Sequence, residues 1–293
     1  PWEILPQLSR TGTKMSEHRP IDQMLPVTVV IPVKNEEANL ARCLDRLGRF
    51  SNIVVIDSGS TDRTREIAAR FGVRVVDFNW NGEYPKKRNW FLLNETISTP
   101  WVLFLDADEY INDDFCNELA VALGREELQG YWLHYMNYFL GKKIRYGLVQ
   151  RKLALFQVGK ALYERIDEKN WSQLDMEIHE HPVIEGKVGQ INTRIDHWDF
   201  KGLAHFIGKH RDYAQWEAQR YALLQSQPKA WSHLTNRQQF KYRHLAKWWY
   251  PAFYFAFTYV VKRGFLDGSP GFHYAAYKAW YFHTIRLLIH EQN

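Results

Sequence analysis

The sequence predicts an α/β fold: a mostly parallel, doubly wound sheet flanked by helices, then a helical extension rich in aromatic and basic residues. Three observations carry this. Short β-branched or apolar runs alternate with helix-patterned segments through the first third of the chain. The alternation stops near Asp114, and from Gly202 onward the pattern is helical. The 293 residues suffice for one large domain and an appendage.

Val27 to Val33 is a β-branched run and reads as the first strand. Glu36 to Gly48 has helical spacing, with Leu40, Cys43, Leu44 and Leu47 on one face, and ends in glycine. Ile53 to Ile56 is a second strand that closes on Asp57-Ser58-Gly59-Ser60. Thr61 is placed to cap a helix over Asp62 to Phe71, with Gly72 past its end. Val73 to Val76 predicts a third strand and Lys86 to Thr96 a third helix. Trp101 to Leu105 is short, uncharged and rich in strand formers, the signature of a strand buried on both faces. Beyond it, Asp114 to Leu123 predicts a helix, and Gly130 to Tyr138 and Ala154 to Gln157 predict strands of a mixed sheet. Val183 to Ile195 alternates weakly and reads as a hairpin. The remainder, through Lys229 to His290, reads as aromatic helix.

Charge is unevenly spread. Lys187 to Asn293 holds 15 Lys and Arg against 6 Asp and Glu, whereas the residues before it hold 23 against 27. A basic, aromatic tail points to an anionic partner: a membrane surface, a phosphorylated lipid or a nucleic acid. Within it, Trp248 to Val261 is uncharged and bounded by Lys247 and Lys262-Arg263. It is shorter than the roughly 20 residues a spanning helix needs and contains Pro251, so it reads as an interfacial segment beside basic residues that meet anionic lipid. Two cysteines, Cys43 and Cys116, make no disulfide framework and suggest a reducing compartment. Pro1 to Pro26 lacks the apolar stretch of a secretory leader, and Met15 is a candidate natural start.

Chemistry gathers at strand ends. Asp106-Ala107-Asp108 follows the Trp101–Leu105 run, and Glu109 comes next. Residues i and i+2 on an extended segment point the same way, and two like charges side by side favour a divalent cation with hard oxygen ligands. The competing reading is a solvated acidic turn. The first strand ends in Pro32, Lys34, Asn35 and Glu36, and the second in Asp57. An aspartate there can accept hydrogen bonds from a ribose hydroxyl or a base N–H. Lys86-Lys87-Arg88-Asn89 opens a helix, and a helix N-terminus with arginine suits a diphosphate. No G-x-G-x-x-G follows the first strand and no P-loop is present, which argues against dinucleotide and P-loop folds. His179, His181 and His197 fit no standard zinc spacing.

Four blocks, in order, carry a resemblance: Ile31-Pro32-Val33-Lys34-Asn35-Glu36-Glu37, Val55 to Thr64, Lys87-Arg88-Asn89, and Leu105-Asp106-Ala107-Asp108-Glu109. Over about residues 27–200 the chain resembles a family-2 inverting glycosyltransferase of GT-A fold. Arg151 to Phe156, Ile178-His179-Glu180, Ile195-Asp196-His197-Trp198 and Arg263 to Gly268 resemble the bacterial subgroup of lipopolysaccharide-core β-glucosyltransferases and exopolysaccharide enzymes. The resemblance sets a GT-A catalytic domain at 27–200; it leaves an arm at 1–26, read as partly non-native from the Met15 start, and a helical region at 201–293 on the membrane or acceptor side.

The resemblance implies a UDP-sugar donor, glucose favoured, and inversion at the anomeric carbon. It implies that Asp57 meets the uracil, with Pro32 and Glu36 near the nucleoside and Lys34 and Asn35 beside them. Lys87 and Arg88 approach the diphosphate. Asp108, supported by Asp106 and spaced by Ala107, holds Mg²⁺ or Mn²⁺. Glu180 is the implied base, with Glu177 and Asp175 as competitors. Arg151, His179 and His197 are implied acceptor or phosphate contacts, His197 also as a further metal ligand. The polar stretch Gly159 to Met176 is expected to loop over the acceptor cleft. The implied acceptor is a saccharide, lipid-linked, met by a cytoplasmic protein peripheral on the inner face of the membrane, with no nucleic-acid partner. The alternatives are a nucleotidyltransferase with carboxylate-bound Mg²⁺, whose Gly-rich first loop is missing here, and a non-enzymatic membrane- or phosphate-binding module.

Overall fold

The computed structural model describes residues 24–292 apart from 167, 169, 170, 173, 178 and 179. Its first half alternates as the pattern predicts: β1 (Leu25–Val33), α1 (Leu40–Leu44), β2 (Phe50–Asp57), α2 (Thr64–Arg70), β3 (Arg74–Asp77), α3 (Lys87–Asn94) and β4 (Trp101–Phe104). There follow β5 (Glu109–Tyr110), α4 (Asp113–Ala122), β6 (Leu128–Phe139), β7 (Lys142–Ile144), β8 (Arg151–Gln157), β9 (Ala161–Tyr163), β10 (Pro182–Ile184) and β11 (Lys187–His197). The helical part comprises α5 (Gly202–Ser226), α6 (Asn236–His244), α7 (Tyr250–Ala256) and α8 (Gly268–Glu291), with single-turn segments between them.

One sheet runs in the order β3-β2-β1-β4-β8-β6-β11-β5, with β7 paired to β6. β3, β2, β1 and β4 pair in parallel. β8 is antiparallel to both β4 and β6, and β11 is parallel to β6. The consequence is geometric. β1, β2, β3, β4, β6 and β11 all point the same way, so their carboxyl ends share one edge, where ligands bind in open α/β sheets. β8, running against them, starts at that edge.

The sheet buries both faces. Val29, Ile31, Leu103 and Leu105 pack against Leu40, Leu44, Phe115 and Leu119 on the α1–α4 side. Val30, Ile56, Val102 and Phe104 pack with Phe91, Phe156 and Tyr163 on the other. Alternate residues of one strand thus serve two cores. A third core, with Ala214, Ala218, Tyr242, Tyr250, Phe282 and Ile285, holds the C-terminal helices together. Both cysteines are buried as free thiols.

Two expectations need correction. Val183 to Ile195 is not a hairpin: β10 pairs with β9 in a separate ribbon, while β11 joins the main sheet between β6 and β5. Alternation marks a strand but not its partner. The helix expected over Glu36 to Gly48 shortens to Leu40–Leu44, because Glu36 and Asn39 are drawn into hydrogen bonds with later segments. Trp248 to Val261 is buried on one side and exposed on the other. Tyr250, Pro251 and Thr258 are buried and Tyr254 packs on Phe282, whereas Trp248, Phe253, Val260 and Val261 are exposed. Among the described residues, no helix is long and apolar enough to cross a membrane.

Candidate active site

The chain leaves β4 at Phe104, and Ala107 turns into the core, which puts Asp106 and Asp108 together on the other side. Asp108 Oδ2 lies 3.2 Å from His197 Nε2, at the end of β11, and 4.0 Å from Lys209 Nζ, on α5. His197 Nδ1 lies 2.9 Å from Asn137 Oδ1, near the end of β6. Trp198 N donates to the Asp108 carbonyl at 2.9 Å, pinning the start of the C-terminal region to this turn.

Asp106 is held differently. Arg88 donates to its Oδ1 at 2.8 Å, and Lys152 pairs with its Oδ2 and with the buried Glu109. The Lys152 contact follows from register: Leu103 opposes Leu155 on the antiparallel β8, so the start of β8 lies beside the residues that follow β4. Burial opposes ionisation of Asp106, but Lys152 and Arg88 outweigh it and hold the carboxyl below its ordinary range. Burial likewise opposes ionisation of Asp108, and His197 and Lys209 outweigh it. Glu109 goes the other way, pushed up by burial.

The two loops after β1 and β2 brace each other. Asn35, at φ +55°, takes a hydrogen bond from Thr61 N at 2.8 Å and gives its own N–H to Ser60 Oγ at 2.9 Å. Glu36 N donates to Thr64 Oγ1 at 2.7 Å. Asp57 is fully buried at the end of β2, accepting from Ser60 N and, at 2.9 Å, from Arg65. Pro32 is buried in β1 and Lys34 is exposed. The Glu36 carboxylate meets Lys201 at 2.6 Å and Asn39 at 3.0 Å. Lys201, His205 and Lys209 therefore form a stripe, one helical turn apart, facing Glu36, Asp199 and Asp108; its charge rests on the two lysines, because burial and Lys201 push the His205 imidazole toward its neutral form.

The third group lies around α3. Lys87 Nζ reaches the Val33 carbonyl at 3.2 Å and Asp175 at 3.3 Å. Glu177 accepts from Arg88 N and Asn89 N at 2.9 and 3.0 Å, so a carboxylate of the chain already occupies the helix start. Arg88 links this carboxylate's segment to Asp106, since its guanidinium also donates to the Glu177 carbonyl. Glu180 is buried against Lys86, whose Nζ lies 2.9 Å from Glu180 Oε1 and 2.6 Å from Glu168 Oε2. Burial pushes the Glu180 carboxyl up to about 7; Lys86 pulls it down and Glu168 pushes it up. Glu180, Glu177, Lys86 and Asn89 line a cleft of about 330 Å³ with Tyr84 and Arg165.

The structure thus brings Asp106, Asp108, His197 and Arg88 together, with Glu36, Asp57 and Lys87 on the same edge. Arg151 stands apart, exposed, with its guanidinium 4.6 Å above the Trp132 ring. His179 lies outside the described residues, as does part of the Gly159–Met176 stretch. Sequence reasoning missed Lys152, Lys201, Lys209 and Asn137, and placed Lys86 with the diphosphate rather than beside Glu180. Only Lys152 had a signal: neighbours on a strand face opposite ways, so one of Arg151 and Lys152 had to turn toward the site.

The donor set at Asp108 fits a divalent cation. A hard carboxylate oxygen stands beside an imidazole, whereas both Asp106 oxygens are engaged by cations of the chain. Among the described residues no cluster of three or more His, Cys, Asp and Glu is arranged to hold an ion unaided. Such an ion would draw its remaining ligands from a bound phosphate, as Mg²⁺ commonly does.

The chain is 33% identical over 182 residues to a lipopolysaccharide core biosynthesis glycosyltransferase of Rhizobium meliloti, covering 58% of this chain and 61% of that relative. It is 23% identical over 258 residues to an uncharacterised glycosyltransferase of Rickettsia typhi, covering 85% and 81% of the two chains. Among solved structures, Mycobacterium tuberculosis glucosyl-3-phosphoglycerate synthase, in complex with Mn²⁺, UDP and glucosyl-3-phosphoglycerate, aligns over 43% of this chain and 51% of its own at 26% identity, with a TM-score of 0.31. The family model for glycosyl transferase family 2 matches residues 28–178, from β1 through the α3 cap. With its matched span covering half of the sequence and the whole Asp57–Asp108 edge, the chain belongs to glycosyl transferase family 2.

Proposed function

We propose that this protein is an inverting glycosyltransferase that moves a sugar, glucose foremost, from a UDP-sugar to a saccharide acceptor during synthesis of bacterial lipopolysaccharide or exopolysaccharide. The observation that carries the reading is the shared edge of the parallel strands. It gathers Asp57, Asp106, Asp108 and His197 and backs them with the cations of α3 and α5. An edge acidic at its centre and basic at its rim suits a nucleoside diphosphate carried with a cation. The core-biosynthesis description of the Rhizobium relative supports the acceptor class.

Asp57 and the braced 34–36 and 58–61 loops form the nucleoside end. Arg88, Lys87 and the α5 stripe neutralise the diphosphate. Asp108 and His197 would hold Mg²⁺ or Mn²⁺, whose chemistry there is to offset charge on the departing diphosphate. Arg88 and Lys152 keep Asp106 ionised and fixed, so it presents one geometry to the donor.

Inversion needs a base facing the acceptor hydroxyl. Glu177 is spent on the α3 N–H groups and Asp175 on Lys87. Glu180, lining the cleft with a carboxyl poised near neutrality, is the base in this reading. The acceptor is lipid-linked and met at the cytoplasmic face of the membrane. The test is transfer from a panel of UDP-sugars with Mn²⁺ or Mg²⁺, run on the wild type and Asp108→Ala. Full activity of Asp108→Ala in EDTA overturns the metal assignment, and no turnover of any UDP-sugar overturns the donor.

A further inference from the structure

The segment just after β7 and the segment before α8 lie side by side. Gly147 N donates to the Lys262 carbonyl at 2.9 Å, and the Asp267 carboxylate accepts from Arg145 N and Tyr146 N at 3.1 and 2.9 Å. The outer surface of this seam is of one kind. Leu140, Tyr146, Val260, Val261, Phe265 and Leu266 are all exposed, at 41% to 65%. Between them stand Lys142, Lys143, Arg145, Lys262 and Arg263, exposed as well. Of the acids beside it, Asp267 is committed to backbone N–H groups and Asp196 pairs with Lys143 at 3.9 Å, so the cationic character rests on Lys142, Arg145, Lys262 and Arg263. An open cleft of about 520 Å³, lined by Lys142, Lys143, Arg145 and Leu266, runs between the two loops.

Large apolar tips alternating with cations are costly in water and do not match a protein core, which excludes uncompensated charge. They do match the boundary of an anionic bilayer, where apolar side chains enter the acyl region and Lys and Arg meet the headgroup phosphates. The position also suits the chemistry. Asn137, which holds His197, is two residues from the end of β6, and Tyr138 stacks on Trp198 with ring centroids 4.5 Å apart. The loop tips therefore continue directly from the site edge.

We propose that the seam of residues 140–146 and 260–266 docks the protein on an anionic lipid bilayer, presenting the catalytic edge to acceptors anchored there. This deepens the reading of a lipid-linked acceptor and rests on it. It replaces the apolar run alone with a composite surface, half of it supplied by the catalytic sheet.

Vesicle sedimentation tests it, using phosphatidylcholine alone and phosphatidylcholine with phosphatidylglycerol, at low and high salt. One variant is K142E/R145E/K262E and a second is L140S/L266S; neither touches the catalytic edge. Folding is followed by circular dichroism and site integrity by Mn²⁺-dependent hydrolysis of a UDP-sugar. The wild type is expected to sediment with anionic vesicles, more weakly in salt, and both variants to lose roughly tenfold or more in partitioning with hydrolysis unchanged. Failure of the wild type to bind anionic vesicles, or wild-type binding by both variants, overturns the docking surface. The activity reading fails separately: binding that responds to the variants, with no UDP-sugar turned over by any of the proteins, leaves the surface standing and removes the donor.

Discussion

The Lys86 ammonium stands 2.9 Å from Glu180 and 2.6 Å from Glu168, so one buried cation serves two buried carboxylates. One positive charge cannot fully offset two negative ones away from water, and one acid keeps its proton to higher pH. Glu180 is that acid, with a carboxyl raised by burial to about 7.

The first prediction is a pH profile. The base must be ionised, so kcat/KM rises with pH through about 7. Lys86→Met removes the charge that favours the ionised form and shifts this limb to higher pH, whereas Glu168→Gln shifts it lower. The same raised carboxyl contributes stability that is full below its ordinary value of 4.5 and is lost as pH rises through about 7. Profiles of the three proteins that superimpose would remove Glu180 from the chemistry.

Glu180 and Glu177 separate by readout. Glu180→Gln is expected to lower kcat about a hundredfold or more while UDP binds normally. Glu177→Gln weakens the cap on α3 and lowers stability by about 1 kcal/mol, read in chemical denaturation. A reversal of these two outcomes exchanges their roles.

The contact between Lys209 and Asp108 predicts that α5 belongs to the donor site. Lys209→Met is expected to weaken UDP binding in the presence of Mn²⁺ roughly tenfold by calorimetry, the loss of one charge-assisted contact. Unchanged affinity places Lys209 outside the site.

Lys152 is a stability prediction. Lys152→Met leaves Asp106 and the buried Glu109 without their shared cation, at a cost of about 3 kcal/mol or more. Lys152→Met/Glu109→Gln recovers part of it. Urea unfolding of the three proteins measures this, and a single variant as stable as the wild type contradicts the pairing.

Much of the sheet was legible because its strands are short, uncharged and set between helices of clear period. Strand ends carrying Asp57 and Asp106-Ala107-Asp108 could be placed on one edge from the alternation alone. The cations were not legible. Lys201 and Lys209 come from a helix about a hundred residues beyond Asp108, and nothing local marks which way a solvent-side lysine turns. Lys152 depends on an antiparallel register that no local pattern records. The Val183–Ile195 misreading has the same root: period two reports burial of a face, and β11 satisfies it against β6 as well as it would against β10.

The Asp267 bridge to the segment after β7 carries a consequence for recombination. A Cβ at Gly271 would sit 2.1 Å from the Gly264 carbonyl, and one at Gly264 would sit 2.9 Å from the Thr258 carbonyl, so the backbones of residues 258–271 pack closely at these two glycines. That fit is clasped to residues 145–147 from the middle of the chain. A chimera that exchanges only the C-terminal helices with a relative splits the clasp between two parents. Transplanted acceptor preference should therefore follow the two segments moved as a pair and fail when either travels alone.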